Sequence, residues 1–301
     1  MAKEHEQISL APDETFRLLR WSNRVTHVEV VRGGQAKPIV GRGDHWHYHR
    51  AMELTFIEQG TGTRFVADCI SPFREGDLLL IGSNVPHYWH LRGSSSGLSV
   101  QWDFPLDHGI WSFGEAAAAL QALSKSALYG LQITGETAIA TIKGMGSLAP
   151  LAGLPRLAAF LGILSTLCSA PADDVMPLSS RPFALNGTAE QQESMARAVS
   201  YILAHHRDAV RLEELLQLTG MSRATFARQF HRHVGKSFSV FLNQVRLQAV
   251  CRALVESTAS ISAIAFNHGF NQLSFFNRLF RREIGVSPSE YRRSGGLAVE
   301  G

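Results

Sequence analysis

The stretch Gly269-Phe270-Asn271-Gln272-Leu273-Ser274-Phe275-Phe276-Asn277-Arg278-Leu279-Phe280 carries the pattern that decides the fold of the C-terminal third. Its centre, Phe276-x-Arg278-x-Phe280 followed by Gly285, occurs 50 residues earlier as Phe226-x-Arg228-x-Phe230 followed by Gly235. Upstream the offset falls to 49: Leu212, Leu216, Gly220, Met221 and Ser222 match Ile261, Ala265, Gly269, Phe270 and Asn271. A fixed internal period marks a repeated structural unit. The second copy therefore carries one extra residue just before or within the start of its second helix.

Each copy reads as helix, tight turn, helix. In the first, Leu212, Leu215 and Leu216 mark the inner face of the leading helix. Gly220 permits the left-handed backbone of a sharp turn. Ser222 is the expected N-cap, and Phe226 and Phe230, four apart, share the buried face of the second helix. That leaves Arg223, Ala224, Ala227 and Arg228 facing outward. In the second copy Asn271 is the expected cap and Phe276 and Phe280 the buried pair, with Leu273, Ser274, Asn277 and Arg278 pointing out. A helix that presents small and basic residues suits the major groove of double-stranded DNA, and its N-terminal amides and dipole favour a nearby phosphate. Arg228 and Arg278 are candidates for bidentate contact to guanine, and Leu273 and the alanines for contact with thymine methyl groups. Between the copies, 237–256 is predicted as one long helix with an apolar stripe of Phe238, Phe241, Leu242, Val245 and Leu254. It would hold the two units in a fixed relation. Arg246 lies on this helix and reads as structural.

Charge is distributed to match. Residues 181–301 hold 15 Lys/Arg against 9 Asp/Glu, a balance of +6, whereas 1–180 hold 14 against 17, a balance of −3. A basic block on an otherwise acidic chain suits a polyanion partner. With 45% hydrophobic and 18% charged residues the composition is that of a globular protein and excludes a disordered one. The three cysteines, Cys69, Cys168 and Cys251, are widely spaced and form no CxxC, which argues against a disulfide framework or a cysteine zinc site and for a reducing cytosol. The chain opens on a polar segment rather than a signal peptide. The most apolar run, 157–168, is too short to span a bilayer. The expectation is a cytoplasmic protein without membrane contact.

Towards the N-terminus the texture changes. From about Thr26 to Phe104, short β-prone runs at 28–31, 53–57, 63–66, 77–81 and 98–102 are separated by glycine-containing turns at Gly33-Gly34, Gly60-Thr61-Gly62 and 93–97. Such spacing predicts a sandwich or small barrel. Residues 115–128 and 156–168 are Ala/Leu-rich and predicted helical. Residues 169–186, with Pro171, Pro177 and Pro182, read as a linker. The fold class is α+β in two domains: an N-terminal β-barrel and a C-terminal all-α double helix-turn-helix. The expected divisions are 1–110, a helical dimerisation or linker region at 111–186, and the DNA-binding domain at 187–301.

Over about residues 190–293 the chain resembles the AraC/XylS family of bacterial regulators. The resemblance rests on the stretch from Gly269 to Phe280 quoted above and on Gly285-Val286-Ser287-Pro288-Ser289-Glu290-Tyr291-Arg292, close to the family's closing pattern. It implies two recognition helices in successive major-groove segments on one DNA face, about 34 Å apart. Leu216 departs from the pattern, since the family usually has a small residue there, and packing in the first unit should be adjusted.

A second resemblance covers about residues 38–104. Gly41-x5-His47-x-His49-x3-Glu53-x6-Gly60 fits the first motif of the cupin family, and Gly76-Asp77 with His87 resembles the second. There Gly82, Asn84 and Leu91 stand where the pattern prefers Pro, Gly and Asn. The resemblance implies a small barrel with room for one small-molecule effector. AraC-like regulators often join such a domain to the DNA-binding module. In metal-binding cupins the matching positions, His47, His49, Glu53 and His87, would be ligands. His47 and His49 alternate and face one side, and three imidazoles with one carboxylate suit a divalent Zn, Ni, Fe or Mn ion. The same side chains suit equally a metal-free polar effector pocket. His45 and His90 flank the motifs and read as exposed or supporting. All five tryptophans, Trp21, Trp46, Trp89, Trp102 and Trp111, fall in the N-terminal part, which raises a carbohydrate as effector, although Trp46 and Trp89 alternate with motif histidines and are expected to face away.

These features together predict an effector-controlled, sequence-specific DNA-binding regulator, acting as a homodimer through the helices at 115–168 and in contact with RNA polymerase. The alternative is a metal-dependent cupin enzyme fused to a DNA-binding domain. No GxSxG, P-loop or HExxH supports catalysis.

Overall fold

The structure, a computed structural model, describes residues 8, 10, 14–23, 27–41, 43, 46–105, 108–183 and 189–295. His45 lies outside them. The chain divides into two compact units, 1–193 and 194–301. The sequence draws two boundaries, at 110 and 186, where the contact pattern draws one.

The first unit is built on a nine-stranded sheet whose pairings are all antiparallel. Its strands are β1 (Phe16–Ser22), β2 (His27–Arg32), β3 (Gln35–Val40), β4 (Met52–Val66), β5 (Cys69–Phe73), β6 (Leu78–Ile81), β7 (His87–Trp102), β8 (Leu131–Ile133) and β9 (Val175–Pro177). The order is β3-β2-β1-β7-β4-β6-β8-β9, with β5 on β4. The glycine turns expected at 60–62 and 93–97 are not turns. They lie within β4 and β7, which pair along their lengths through register shifts between Ile57 and Gln59 and between Gln59 and Thr61. An irregularity of this kind bends a strand without ending it. The first half of β4 is flanked by β6 and the second by β5. Gly97 is needed for another reason: a Cβ there would lie 2.4 Å from the Trp21 indole.

The period-2 alternation sorts side chains onto two faces. Phe16, Leu18, Met52, Leu54, Leu78, Leu80, Val100 and Trp102 form one core with residues of three helices. These are α1 (Gly114–Ala127), α2 (Gly135–Ser147) and α3 (Gly153–Cys168). Leu19, Trp21, Ile57, Leu79, Ile81 and Trp89 belong to a second cluster on the other face. Two expectations change here. The apolar faces of the helices, which suggested a dimer contact, are occupied by the sheet through Leu120, Phe160, Ile163, Leu164 and Leu167. The expected linker at 169–186 contains β9, which pairs with β8 and extends the sheet. Arg156 on α3 adds a tie, lying over the Phe16 ring at 4.2 Å and donating to the carbonyls of Phe16 and Val31 at 3.5 and 3.3 Å.

The second unit is helical. It contains most of α4 (Ala189–His205), then α5 (Leu212–Thr219), α6 (Arg223–Val234), α7 (Phe238–Glu256), α8 (Ile261–Asn267), α9 (Leu273–Ile284) and α10 (Pro288–Arg293). Gly220, at φ +66°, ends α5, and Gly235 and Gly285, at φ +82° and +85°, end α6 and α9. These are the left-handed positions that favour glycine at a helix C-terminus. Leu216 is half-buried where its counterpart Ala265 is fully buried. The larger side chain is accommodated by moving partly out of the core.

Candidate functional site

Two sets of residues stand out, one on the surface of the helical unit and one inside the sheet unit. On α6, Arg223, Ala224, Ala227 and Arg228 are exposed, while Phe226 and Phe230 are 1% exposed. On α9, Ser274, Asn277 and Arg278 are exposed, while Phe276 and Phe280 are fully buried. Phenylalanines four apart take the inward stripe of each helix and leave the arginine between them on the opposite side. Leu273 is only half-exposed and packs against the core of its own unit. Ser222 caps α6, its Oγ accepting from the Thr225 amide at 3.3 Å. The cap of α9 is Gln272, not Asn271, and no side chain caps it. The turn of the second copy is two residues longer: the extra residue moves the start of α9 one position on, and α8 ends one position earlier than α5. Sequence reasoning missed Phe275, an exposed aromatic beside Ser274, and the exposed basic residues further along each helix: Arg232, Arg281 and Arg282. The 3.6-residue period places these near the same outer stripe and could have found them.

The buried set is assembled by strand register. Arg17 on β1, Gln101 on β7 and Glu53 on β4 lie in one cross-strand row, with Leu19, Ser99 and Thr55 in the next row on the same face. Glu53 accepts from Thr55 Oγ1 and Gln101 Nε2, both at 2.5 Å, and Gln101 in turn accepts from Arg17 Nε at 2.7 Å. His47 and His87 face each other across a short antiparallel bridge, with His47 N to His87 O at 3.0 Å and His87 N to His47 O at 2.9 Å. Their ring centroids are 4.2 Å apart, and His49 lies 5.7 Å from His47 and 5.0 Å from His87. The three histidines and Glu53 are all buried. All four residues predicted from the two separated motifs therefore meet. The polar residues around Glu53, Gln101 and Arg17 in its own row and Thr55 and Ser99 in the next, carry no motif spacing, and only pairing register brings them together.

The tautomers follow from geometry. His49 Nδ1 lies 2.8 Å from the Ala51 carbonyl and His87 Nδ1 lies 2.9 Å from the Val85 carbonyl. A carbonyl only accepts, so each Nδ1 carries a proton. The other ring nitrogen, Nε2, of each residue turns inward towards Glu53. His49 Nε2 is 3.1 Å and His87 Nε2 3.8 Å from the same Glu53 Oε2, and His87 Nε2 has no hydrogen-bond partner among the described residues. Burial, reinforced by neighbouring His47, holds the His87 imidazole well below its usual range despite the pull of Glu53. Burial also opposes ionisation of Glu53. The His49 hydrogen bond, the charges of His87 and His49 and the Thr55 hydroxyl overcome it and keep that carboxyl well below the usual range. Lone pairs facing a carboxylate oxygen repel unless a proton or a cation lies between them. One ligand nitrogen from each histidine lies within 4.8 Å of the others. Three imidazoles and one carboxylate, with His49, His87 and Glu53 held from behind by hydrogen bonds, are a donor set that fits a divalent first-row metal ion.

Next to this set is a cavity of about 50 Å³ lined by His47, Glu53, Thr55, Gln101, Trp21 and Trp89. Ligand pockets for drug-sized molecules run to roughly 300–1,000 Å³, and one water occupies about 30 Å³ of liquid. The cavity suits an ion, waters or a molecule of a few atoms. Trp89 lines the cavity rather than facing away from it: it stands two residues from His87 on β7, and period-2 alternation puts the two on one face.

Residues 204–294 match the family model of a helix-turn-helix domain and residues 32–100 that of a cupin domain. Among curated proteins, a region of 107 residues is 37% identical to an uncharacterized HTH-type transcriptional regulator of Haemophilus influenzae, covering 36% of each chain. A region of equal length is 34% identical to the regulatory protein PocR of Salmonella typhimurium, covering 36% of this chain and 35% of that one. A region of 116 residues is 32% identical to the HTH-type transcriptional activator RhaS of Escherichia fergusonii, covering 38% of this chain and 42% of that one. The similarity thus spans between a third and a half of each relative's length. No helix among the described residues is long and apolar enough to cross a membrane.

Proposed function

We propose that this chain, an AraC-type helix-turn-helix domain joined to a cupin domain, is a transcription regulator that reads double-stranded DNA through α6 and α9 and senses a small effector in the sheet unit. The observation that carries the reading is the repeated surface: two twelve-residue helices, each with its phenylalanines inside and its arginine outside. Arg228 and Arg278 take the role of base contacts, with Arg223, Ala224, Ala227, Leu273, Ser274 and Asn277 around them. Basic side chains further along the helices serve phosphate, a sequence-independent and salt-sensitive term. Selection of duplexes from a random pool by the full chain tests this. Enrichment of a motif with two half-sites about one helical turn apart is the expected result. Recovery of no motif sinks the reading.

The sensor proposal places a divalent ion, Zn, Ni, Fe or Mn, on His47, His49, Glu53 and His87, and an effector of few atoms in the adjoining cavity. The metal would supply a charged coordination point for an oxygen or nitrogen donor. The protein's part is to hold the imidazole tautomers and, through Gln101 and Thr55, the carboxylate. Elemental analysis of untagged protein purified without chelators, beside the His47→Ala/His87→Ala double variant, tests it. Near-stoichiometric metal lost in the variant is expected; a metal-free, folded wild type makes the cluster a polar effector pocket instead. Homodimerisation and contact with RNA polymerase belong to the same proposal. The exposed Phe113 and Leu154 of the sheet unit support the former.

A further inference from the structure

Each helix-turn-helix is closed by an arginine from the helix that follows it. Arg292 on α10 donates from Nε to the Leu254 carbonyl at 3.1 Å and from Nη2 to the Ala259 carbonyl at 2.7 Å. These carbonyls lie at the end of α7 and just before α8. Arg246 on α7 does the equivalent for the first copy, from Nε to His206 O and from Nη2 to Asp208 O, both at 2.8 Å. Those carbonyls lie between α4 and α5. Each planar guanidinium thus bonds two carbonyls at or just beyond the end of the helix that precedes its helix-turn-helix.

Arg246 does something more. A Cβ placed on Gly269 would sit 2.7 Å from its Nε and 2.9 Å from its Cζ and Nη2. The guanidinium therefore lies flat against the turn between α8 and α9, at a residue with φ +84°. One side chain touches the entry to the first helix-turn-helix and the turn of the second. We propose that Arg246 is a positioning residue that fixes the spacing and rotational phase of α6 relative to α9, so that the chain demands one separation between its two DNA half-sites. The proposal rests on the DNA-binding reading above. Arg292 serves as the internal control, because its two bonds stay within the second copy.

The test compares the full chain with Arg246→Ala, Arg246→Lys and Arg292→Ala on duplexes selected by the wild type and on derivatives with one or two base pairs inserted between the half-sites. Melting curves show which variants fold. Wild type should lose at least tenfold in affinity on insertion. Arg246→Ala should bind the unaltered duplex more weakly and lose less than threefold on insertion. Lysine keeps a cation but lacks the two-pronged donor, so Arg246→Lys should fall between and decides the matter should the alanine variant not fold. Arg292→Ala should melt earlier and keep the full penalty, as a merely structural role requires. A folded Arg246 variant with the wild-type insertion penalty overturns the proposal. A wild type that selects no two-part site overturns the DNA-binding reading first, and this proposal with it.

Discussion

The two helix-turn-helix units put the same second helix behind different turns. Helices α6 and α9 are both twelve residues long, end in a left-handed glycine and bury phenylalanines at matching positions. In the first copy three residues, Gly220 to Ser222, separate the helices, and a serine caps the second helix. In the second copy five residues, 268–272, do so, and no side chain caps it. There Phe270 is buried and packs 5.1 Å from Phe276, whereas its counterpart Met221 is half-buried. Near the far end of the second helix the first copy buries His233 and the second exposes Glu283. A ring in the turn replaces a cap before the helix. The outer face of each recognition helix is set by its own phenylalanine spacing and is insensitive to how the turn is stabilised.

The largest effect should come from what the copies share. Phe226→Ala and Phe276→Ala should each cost about 3–5 kcal/mol by leaving a cavity, read as the denaturation midpoint of the full chain. A large effect in one copy alone would break the equivalence. On the outer face, Arg228→Ala and Arg278→Ala should each remove about 1–3 kcal/mol of discrimination at one base position, measured on the selected duplex and its single-base variants. Equal loss on every sequence would make the arginine a phosphate contact.

A pH dependence should separate the copies. Burial pushes His233 down to about 3, below an unfolded value of about 6.5. The unfolded chain therefore binds the extra proton between these limits. The stabilisation from keeping His233 neutral is complete above about pH 6.5 and is lost as pH falls towards 3, about 2 kcal/mol of it by pH 5. Urea midpoints at pH 7.5 and 5 should differ, and His233→Leu should reduce the difference. An unchanged difference would place the proton elsewhere.

The turns should differ too. Gly220→Ala should cost about 1–2 kcal/mol through the left-handed backbone alone, since nothing lies within 4 Å of the added Cβ. Gly269→Ala should cost more, because its Cβ meets Arg246. Equal melting shifts would show that the arginine moves aside freely. The smallest effect is the cap: Ser222→Ala should cost about 1 kcal/mol and Gln272→Ala nearly nothing by the same measurement.

Much of this was legible in the chain. The 50-residue repeat places both recognition helices and sorts inner from outer residues, because helical period alone decides which side chains share a face. The cupin spacing picks out His47, His49, Glu53 and His87, although 34 residues separate Glu53 from His87. Gln101 and Arg17, which share a cross-strand row with Glu53, are revealed by no spacing. β1, β3, β5, β8, β9 and α2 went unread, as did the continuity of β4 and β7. Local glycines signal turns, yet a long paired strand absorbs them when its partner bends with it.

The sequence by itself determined the two-part organisation, the paired outer faces of α6 and α9 and the identity of the four converging residues His47, His49, Glu53 and His87. These depend on periodicity and on residue chemistry, which are local. Tertiary structure alone decided the rest: which imidazole nitrogens face Glu53, how little space adjoins them, that the helices at 114–168 spend their apolar faces on the sheet, and that Arg246 reaches both helix-turn-helix units. Each of these depends on distances between residues far apart in the chain. Such distances are fixed by strand register and helix packing, and no single segment encodes them.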